Sequence, residues 1–500
     1  MKSLRRNWLQ AISLFLAISA GQALAEDNSS LKVAWDKVER VLNTTATLQV
    51  VVNPPLRRGS PIHDRVFQAL RELHSDYVRY VPWLPYPRLG VAELEPPEDG
   101  KTSWDFSLMD PMTMDFLDAT AGQGHSVILN FSTIPQWMYK TPKSVSYPGD
   151  PDRATWNYEQ GTELRDPSLK EVSDYFARLV SWYAQGGFKD EFRKEHTSGH
   201  HYKIDYWEVL NEVDFEHGMT PQSYTQIYDA VVKAIHQVDA QIKFVGMALG
   251  APSSEPQFFE YFLDSKNHEA GVPLDMISYH FYATPRADES PGIWQYTFFD
   301  QADRFLTTVR YVEAIRARLA PKTRTDIDEV GCILPYDTEP HIVRPIPNSY
   351  WNVCGALFAH LYVELARLGI DVVGESQMVG YPTQFPSVSM VDWETGQPNA
   401  RYWILKLLRD NFASGDQMVE TEHSSSDVAV QAFVTRDAKR KLLLINKRNR
   451  PATFSLAGAA GAEEEYVDQE TGSHGVGSAR LTGDGIALGA FEVAVVTLPR

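Results

Sequence analysis

Cysteine is scarce in this chain, which has only Cys332 and Cys354 among its 500 residues. Two cysteines cannot build a disulfide framework, although they can form one disulfide or remain two buried thiols. No cysteine or histidine spacing matches a zinc site, and the pair His200-His201 lies in a charged stretch that is typical of a solvated turn. We therefore predict no metal and no cofactor. The fold must depend on a hydrophobic core, for which 43% hydrophobic residues are ample.

Positive charge is also in short supply. The chain has 47 lysines and arginines against 65 acidic residues, a formal net charge of −18. Such a surface repels nucleic acid and anionic lipid, so neither is expected as a partner. It also disfavours strongly polyanionic substrates.

Long apolar runs are missing beyond the N-terminus. Basic residues precede the apolar run 9–20, and Ala23-Leu24-Ala25 is a small-x-small cleavage signal. The run is short for a membrane span. This pattern predicts a signal peptide over residues 1–25 that is cleaved near Ala25. We expect a secreted or periplasmic protein without stable membrane insertion.

From residue 46 to residue 413 the sequence alternates between short β-branched runs and runs with a 3.6-residue period. The predicted strands are 47–52, 77–81, 125–132, 204–212, 242–249, 274–282, 323–331 and 370–377. The predicted helices are 64–73, 110–120, 169–184, 221–238, 257–264, 300–320, 350–369 and 400–412. Eight strand-then-helix units predict an α/β fold, a (β/α)8 TIM barrel.

The sequence pattern changes near residue 414. Strand-length runs then follow one another with turn signals between them and no helical pattern. We predict a small antiparallel β-sandwich over residues 414–500. Residues 26–45 are a candidate N-terminal segment of this sandwich, since 33–42 has the length and composition of a strand.

Two glutamates stand at the ends of predicted strands four and seven, Glu212 and Glu329. The carboxyl ends of barrel strands line the reaction site in this fold, so these side chains are expected to face each other. Paired carboxylates can cleave a glycosidic bond: one protonates the departing oxygen, and the other stabilises or attacks the anomeric carbon. A separation of about 5–5.5 Å implies attack by the enzyme and retention of configuration.

Four neighbouring residues suit this chemistry. Asn211 can hydrogen-bond the 2-hydroxyl of a sugar, a contact that tightens in the transition state. Arg79 can favour the ionised form of one carboxylate through its opposite charge. Tyr282 can donate a hydrogen bond to the nucleophile, and His280 can orient either glutamate, although a structural histidine is an equally simple interpretation.

Two further candidates have open alternatives. Trp137 follows strand three, where it forms either a flat platform for a sugar or part of the core. Glu375 ends strand eight, where it contacts a substrate hydroxyl or forms a structural ion pair.

Several motifs carry a resemblance to a known family. YWEVLNE contains Asn211-Glu212, TDIDEVG contains Glu329, and SYHFY contains His280 and Tyr282. Together with WDF at 104–106 and IPQWMY, they resemble clan A glycoside hydrolases. The likeness is strongest to glycoside hydrolase family 39, which includes β-xylosidases and α-L-iduronidases.

This resemblance implies a retaining O-glycosidase with Glu212 as acid/base and Glu329 as nucleophile. It implies double displacement through a covalent glycosyl-enzyme intermediate. The expected substrate and partner is an extracellular or cell-wall oligosaccharide or polysaccharide. Two alternatives stay open: a transglycosylase that uses the same residues, and an inactive carbohydrate-binding protein. A barrel lyase or aldolase would need a Schiff-base lysine or a metal cluster, and the predicted strand ends offer neither.

Overall fold

The computed structural model describes residues 28–141, 146–155, 163–337, 345–382 and 384–499. The predicted signal peptide, residues 1–25, lies outside these ranges. Within them, no helix combines the length and the hydropathy that crossing a membrane requires.

Eight parallel strands close into a barrel, each paired with its neighbours in chain order and the last paired with the first. They are β1 (Thr45–Val51), β2 (Val78–Val81), β3 (Val127–Leu129), β4 (Tyr206–Val209), β5 (Lys243–Leu249), β6 (Met276–Ala283), β7 (Arg324–Cys332) and β8 (Val372–Glu375). Their apolar, β-branched sequences suit strands that are buried on both faces. The predicted (β/α)8 fold is confirmed.

A helix follows each barrel strand. These helices are α1 (His63–Leu73), α2 (Met109–Ala119), α3 (Lys170–Ala184), α4 (Pro221–Val238), α5 (Pro256–Phe262), α6 (Pro291–Leu319), α7 (Asn348–Leu368) and α8 (Ala400–Asn411). A four-residue helix, Pro87–Gly90, is inserted between β2 and α2.

The largest boundary error concerns α6, which begins at Pro291 rather than at residue 300. Its early turns leave Ile293 and Tyr296 about half exposed. Apolar residues therefore face solvent in these early turns. The helical spacing of buried apolar residues begins only at Phe298, where the helix packs on the barrel. Proline at the first helical position is favourable because its missing N–H needs no partner there.

Gly187–Lys189 and Glu195–Thr197 pair as a small two-stranded sheet. Nine further strands form a second sheet system beside the barrel. Its strands are Asn28–Val41, Gln417–His423, Val428–Val434, Arg440–Asn446, Ala452–Ser455, Glu463–Val467, Gly477–Arg480, Gly485–Leu488 and Val493–Thr497. Asn28–Val41 pairs antiparallel with Gln417–His423, so chain from before and after the barrel shares one sheet. One pairing departs from the antiparallel prediction: residues 28–30 run parallel to residues 453–455.

The two cysteines lie against the barrel wall. Cys332 ends β7 and Cys354 is on α7, and both are buried and free. Of the two alternatives left open by the sequence, the structure has the buried thiols.

Candidate active site

Glu212 lies in a strained turn that follows β4. Leu210 and Glu212 both have positive φ, +65° and +39°, in a backbone region that non-glycine residues rarely adopt. The amide of Glu212 donates a hydrogen bond to the carbonyl of Ala248 at 2.9 Å, which ties the turn to β5. Strain of this kind persists where the surrounding structure holds it, and it concentrates at functional sites.

Glu329 lies on β7, beside an irregularity in the pairing of that strand with β6 between Asp326 and Glu329. Its carboxylate accepts two short hydrogen bonds. Nη1 of Arg79 donates to Oε1 at 2.6 Å, and the hydroxyl of Tyr282 donates to Oε2 at 2.5 Å. Both contacts hold the carboxylate in a fixed position.

The two glutamates meet at one point above the barrel. A carboxylate oxygen of Glu212, one of Glu329 and a ring nitrogen of His280 all lie within 4.8 Å of one another. Nδ1 of His280 is 3.0 Å from Oε1 of Glu212. The structure therefore brings together the residues predicted from strands four, six and seven.

Arg79 on β2 is the centre of this polar cluster and is 1% exposed. Besides Glu329, its guanidinium bonds Glu208 at 2.5 Å, Gln49 at 2.7 Å and Oδ1 of Asn211 at 2.6 Å, and Asp328 lies 3.0 Å away. Sequence reasoning expected only one acidic partner. The alternation of Asp326 and Asp328 along β7 was a usable signal for further inward-facing acids.

Burial and charge act against each other in this cluster. Burial raises the pKa of Glu212 above its ordinary value, and the hydrogen bond with His280 only partly opposes it. Burial also raises the pKa of Glu208 to about 7, in spite of the charge of Arg79. For His280, burial acts to lower the pKa, but the charges of Glu329 and Asp328 raise it well above the usual range. These directions favour a positive charge on His280 and a proton on Glu212.

The structure does not support the platform predicted for Trp137. The side chain is 9% exposed, its indole N–H donates to the carbonyl of Glu93 at 2.9 Å, and the guanidinium of Arg165 lies 4.5 Å from its ring centre. A face already covered by a cation is not available to a sugar. Trp137 belongs to the hydrophobic core.

The substrate contact predicted for Glu375 is likewise not supported. Glu375 is 0% exposed and pairs with Arg401, which is also 0% exposed, at 2.8 Å. Arg401 comes from α8, so the carboxylate is bound within the barrel wall. The alternative interpretation, a structural ion pair, fits this arrangement.

A third carboxyl beside the glutamates was missed. Glu216 accepts a hydrogen bond from Nδ2 of Asn211 at 2.9 Å and another from Nε1 of Trp83 at 2.5 Å. Trp83 stacks on Phe385, with ring centres 5.9 Å apart. The signal in the sequence was the acid four residues after Glu212, at the spacing of one helical turn.

Glu212, His280 and Glu329 are also close enough to share a metal ion. Nδ1 of His280 is already bonded to Glu212, and its raised pKa means that a metal would have to displace a tightly held proton. The donors fit proton exchange better than metal binding. The prediction of a metal-free site stays a prediction.

Comparison with known families supports this interpretation of the site. Residues 172–329 match the family described as Glycosyl hydrolases family 39. Over this region the chain resembles glycoside hydrolase family 39. The matched stretch is about a third of the chain, runs from α3 to β7 and includes both Glu212 and Glu329. It bears out the resemblance found in the sequence motifs and supports a glycosidase.

Solved structures share the architecture at low sequence identity. A family 51 arabinofuranosidase from Xanthomonas axonopodis pv. citri superposes with a TM-score of 0.61 at 14% identity, covering 94% of this chain and 99% of that one. A glucosidase from Croceicoccus marinus gives 0.59 at 16%, covering 95% and 99%. A family 30 endoxylanase from Clostridium papyrosolvens C71 gives 0.55 at 13%, covering 94% and 100%. These likenesses establish the fold, and a search of curated proteins gives no significant match.

Proposed function

We propose that the protein is a retaining O-glycosidase with Glu212 as acid/base and Glu329 as nucleophile. One observation carries the proposal: carboxylate oxygens of the two residues, from strands three positions apart in the barrel, lie within 4.8 Å of each other. An approach within this limit agrees with the separation of about 5–5.5 Å at which the enzyme itself attacks the sugar, rather than with the about 6.5–9.5 Å of inverting enzymes.

In the first step, protonated Glu212 gives its proton to the glycosidic oxygen. A carboxylate oxygen of Glu329 attacks the anomeric carbon, and the C–O bond to the leaving group breaks. Arg79 and Tyr282 hold the attacking carboxylate in place through their two hydrogen bonds. Arg79 donates to both Asn211 and Glu329, so these two side chains lie close together. From this position Asn211 can bind the 2-hydroxyl of the sugar.

In the second step, Glu212 is ionised and takes a proton from water. The resulting oxygen nucleophile attacks the anomeric carbon, and the ester bond to Glu329 breaks. Two inversions at one carbon give net retention. His280 can stabilise ionised Glu212 at this stage, because its Nδ1 lies within hydrogen-bonding distance.

The proposed substrate is a neutral oligosaccharide or polysaccharide of the extracellular space or cell wall. Export is supported by the leader-like residues 1–25, and substrate neutrality by the formal net charge of −18. Phe215, three residues after Glu212, is 78% exposed and offers an apolar face for the leaving group. The proposed division is a catalytic barrel over residues 46–413 with an accessory β-sandwich formed by 414–500 and 26–45.

A screen of aryl glycosides tests the function. The set includes β-xylosides, α-L-arabinofuranosides, β-glucosides and α-L-iduronides, with the Glu329→Gln variant as the control. We expect turnover of at least one neutral glycoside by the wild type, with the first-formed sugar in the configuration of the substrate by NMR. Inverted product, or turnover that persists in the variant, would contradict the mechanism. Transfer of the sugar to added acceptors in place of water would favour a transglycosylase.

A further inference from the structure

We infer that Glu216 is a positioning residue of this site, which holds the amide of Asn211 so that one N–H points to the 2-hydroxyl of the sugar. This inference rests on the proposed function, since Asn211 acts on the substrate only if the site binds a glycoside. Glu216 acts through Asn211 and does not take part in the bond exchange.

The orientation of Asn211 follows from its two partners. Arg79 has only donors, so the atom of Asn211 that lies 2.6 Å from Nη2 must be the carbonyl oxygen. The amide nitrogen therefore faces the other way, where Glu216 accepts one of its hydrogens at 2.9 Å. An amide nitrogen carries two hydrogens, so one remains for a substrate.

Glu216 is itself fixed from two sides. Its backbone amide donates to the carbonyl of Glu212 at 2.7 Å, which places it on the same turn as the acid/base. Its side chain also accepts the indole N–H of Trp83 at 2.5 Å, and Trp83 belongs to the loop after β2. The carboxyl oxygen that orients Asn211 is thus bonded to two different loops, so Asn211 cannot rotate without breaking a buried contact.

The protonation state of Glu216 determines which variant can replace it. Burial raises the pKa of Glu216 well above its usual range, and the neighbouring charge of Glu212 acts in the same direction. A neutral carboxyl still accepts hydrogen bonds through its carbonyl oxygen. The amide of glutamine has the same shape and the same acceptor, so Glu216→Gln should keep the contacts that Glu216→Leu removes.

A purely structural role for Glu216 is the competing explanation, in which it only ties the loops after β2 and β4 together. The two roles differ in their dependence on the substrate. If Glu216 positions Asn211 for the 2-hydroxyl, its loss matters only for substrates that have this group. A misplaced loop would slow every substrate alike.

The test compares an aryl glycoside that the wild type hydrolyses with its 2-deoxy analogue. We expect Glu216→Leu to lower kcat/KM at least about tenfold on the parent glycoside, mainly through kcat because the contact tightens in the transition state. On the 2-deoxy analogue the change should be less than about threefold. Glu216→Gln should restore most of the loss, and Asn211→Ala combined with Glu216→Leu should be no worse than Asn211→Ala alone.

Glu260→Leu is a matched control, since Glu260 lies on α5 and is an exposed partner of Arg318. This variant should hydrolyse both substrates as the wild type does. Circular dichroism checks that each variant is folded. An equal loss on both substrates, or a glutamine variant as poor as the leucine variant, would overturn the inference and leave the proposed function intact. A wild type that hydrolyses no glycoside would overturn both.

Discussion

Nδ1 of His280 lies 3.0 Å from Oε1 of Glu212, and its Nε2 lies 3.5 Å from Asp328 and 3.6 Å from Glu329. The imidazole ring therefore lies between the two carboxylates that the mechanism uses. Burial acts to lower the pKa of His280, but the charges of Glu329 and Asp328 raise it, which favours a positive charge between the two glutamates. Burial raises the pKa of Glu212. The sequence left His280 open between a site residue and a structural histidine, and the structure places it between the two glutamates, where its charge can act on both.

Replacement of the nucleophile tests the covalent route. Glu329→Ala should lower kcat at least about a thousandfold, because no group remains to attack the anomeric carbon. Azide can enter the space vacated by the carboxylate and attack in its place. We expect added azide to restore part of the turnover and to yield a glycosyl azide of inverted configuration, detected by NMR. Absence of rescue with substrate binding intact would argue against a covalent intermediate.

The pH profile tests the acid. Glu212 must be protonated for the first step, and its pKa is raised by burial, so kcat/KM should fall as the pH rises through that raised value. Glu212→Gln should lose the alkaline limb and about 100- to 10,000-fold of kcat/KM on substrates with poor leaving groups. A flat wild-type profile from mildly acid to neutral pH would count against this assignment.

Gly250 tests the placement of Glu212. A methyl group at Gly250 would lie 2.9 Å from Cδ and Oε1 of Glu212, closer than real contacts allow. Gly250→Ala should therefore displace the carboxyl and lower kcat about 100-fold, by analogy with other misplaced reacting groups. Gly292→Ala is the control, since its methyl group would meet no atom within 4 Å. Equal kcat in the two variants would show that Glu212 does not depend on this space.

Arg79 should also be essential for stability. Arg79→Met leaves Glu208 and Asp328 buried without their cation, which should lower the free energy of unfolding by about 3–5 kcal/mol at pH 7. Burial already raises the pKa of Glu208 to about 7, and loss of the cation removes the charge that opposes this shift. The lost stability should therefore be partly regained at pH 5, where protonated Glu208 is favoured.

Chemical denaturation at both pH values measures this difference. The exposed pair of Arg57 and Asp152 provides the control, and Arg57→Met should cost less than about 1 kcal/mol at either pH. A similar, pH-independent loss in both variants would contradict the central role of Arg79.

The buried carboxyl of Glu93 should make the free energy of unfolding depend on pH in a second way. Among the described residues its carboxyl oxygens have no hydrogen-bond partner, and burial raises its pKa to about 8. A raised folded pKa means that stability is fully present below the unfolded value near 4.5 and is lost as the pH rises towards 8. Glu93→Gln should remove this loss and gain up to about 4 kcal/mol at pH 8, with no gain at pH 4. Glu95→Gln, at an exposed position, should have no such effect.

Local patterns explain how much of the site could be predicted. Glu212 and Glu329 were identified because each ends an apolar run, and in a parallel barrel the strand ends meet at one face. His280, Tyr282 and Asn211 followed from the same rule. Trp137 and Glu375 satisfied it too, yet the structure pairs them with Arg165 and Arg401, because a position at a strand end does not determine which partners the side chain meets.

The sequence by itself determined the βα alternation, the closed barrel, the attached sheet and the two glutamates, since each depends on hydrophobic period and strand ends within a short window. Only the tertiary structure decided that Arg79 also binds Glu208, which is 129 residues away, and that Glu216 bonds Trp83 across 133 residues. These residues become partners because the fold brings them close together across the barrel mouth. The periodicity of the sequence contains no information about that distance.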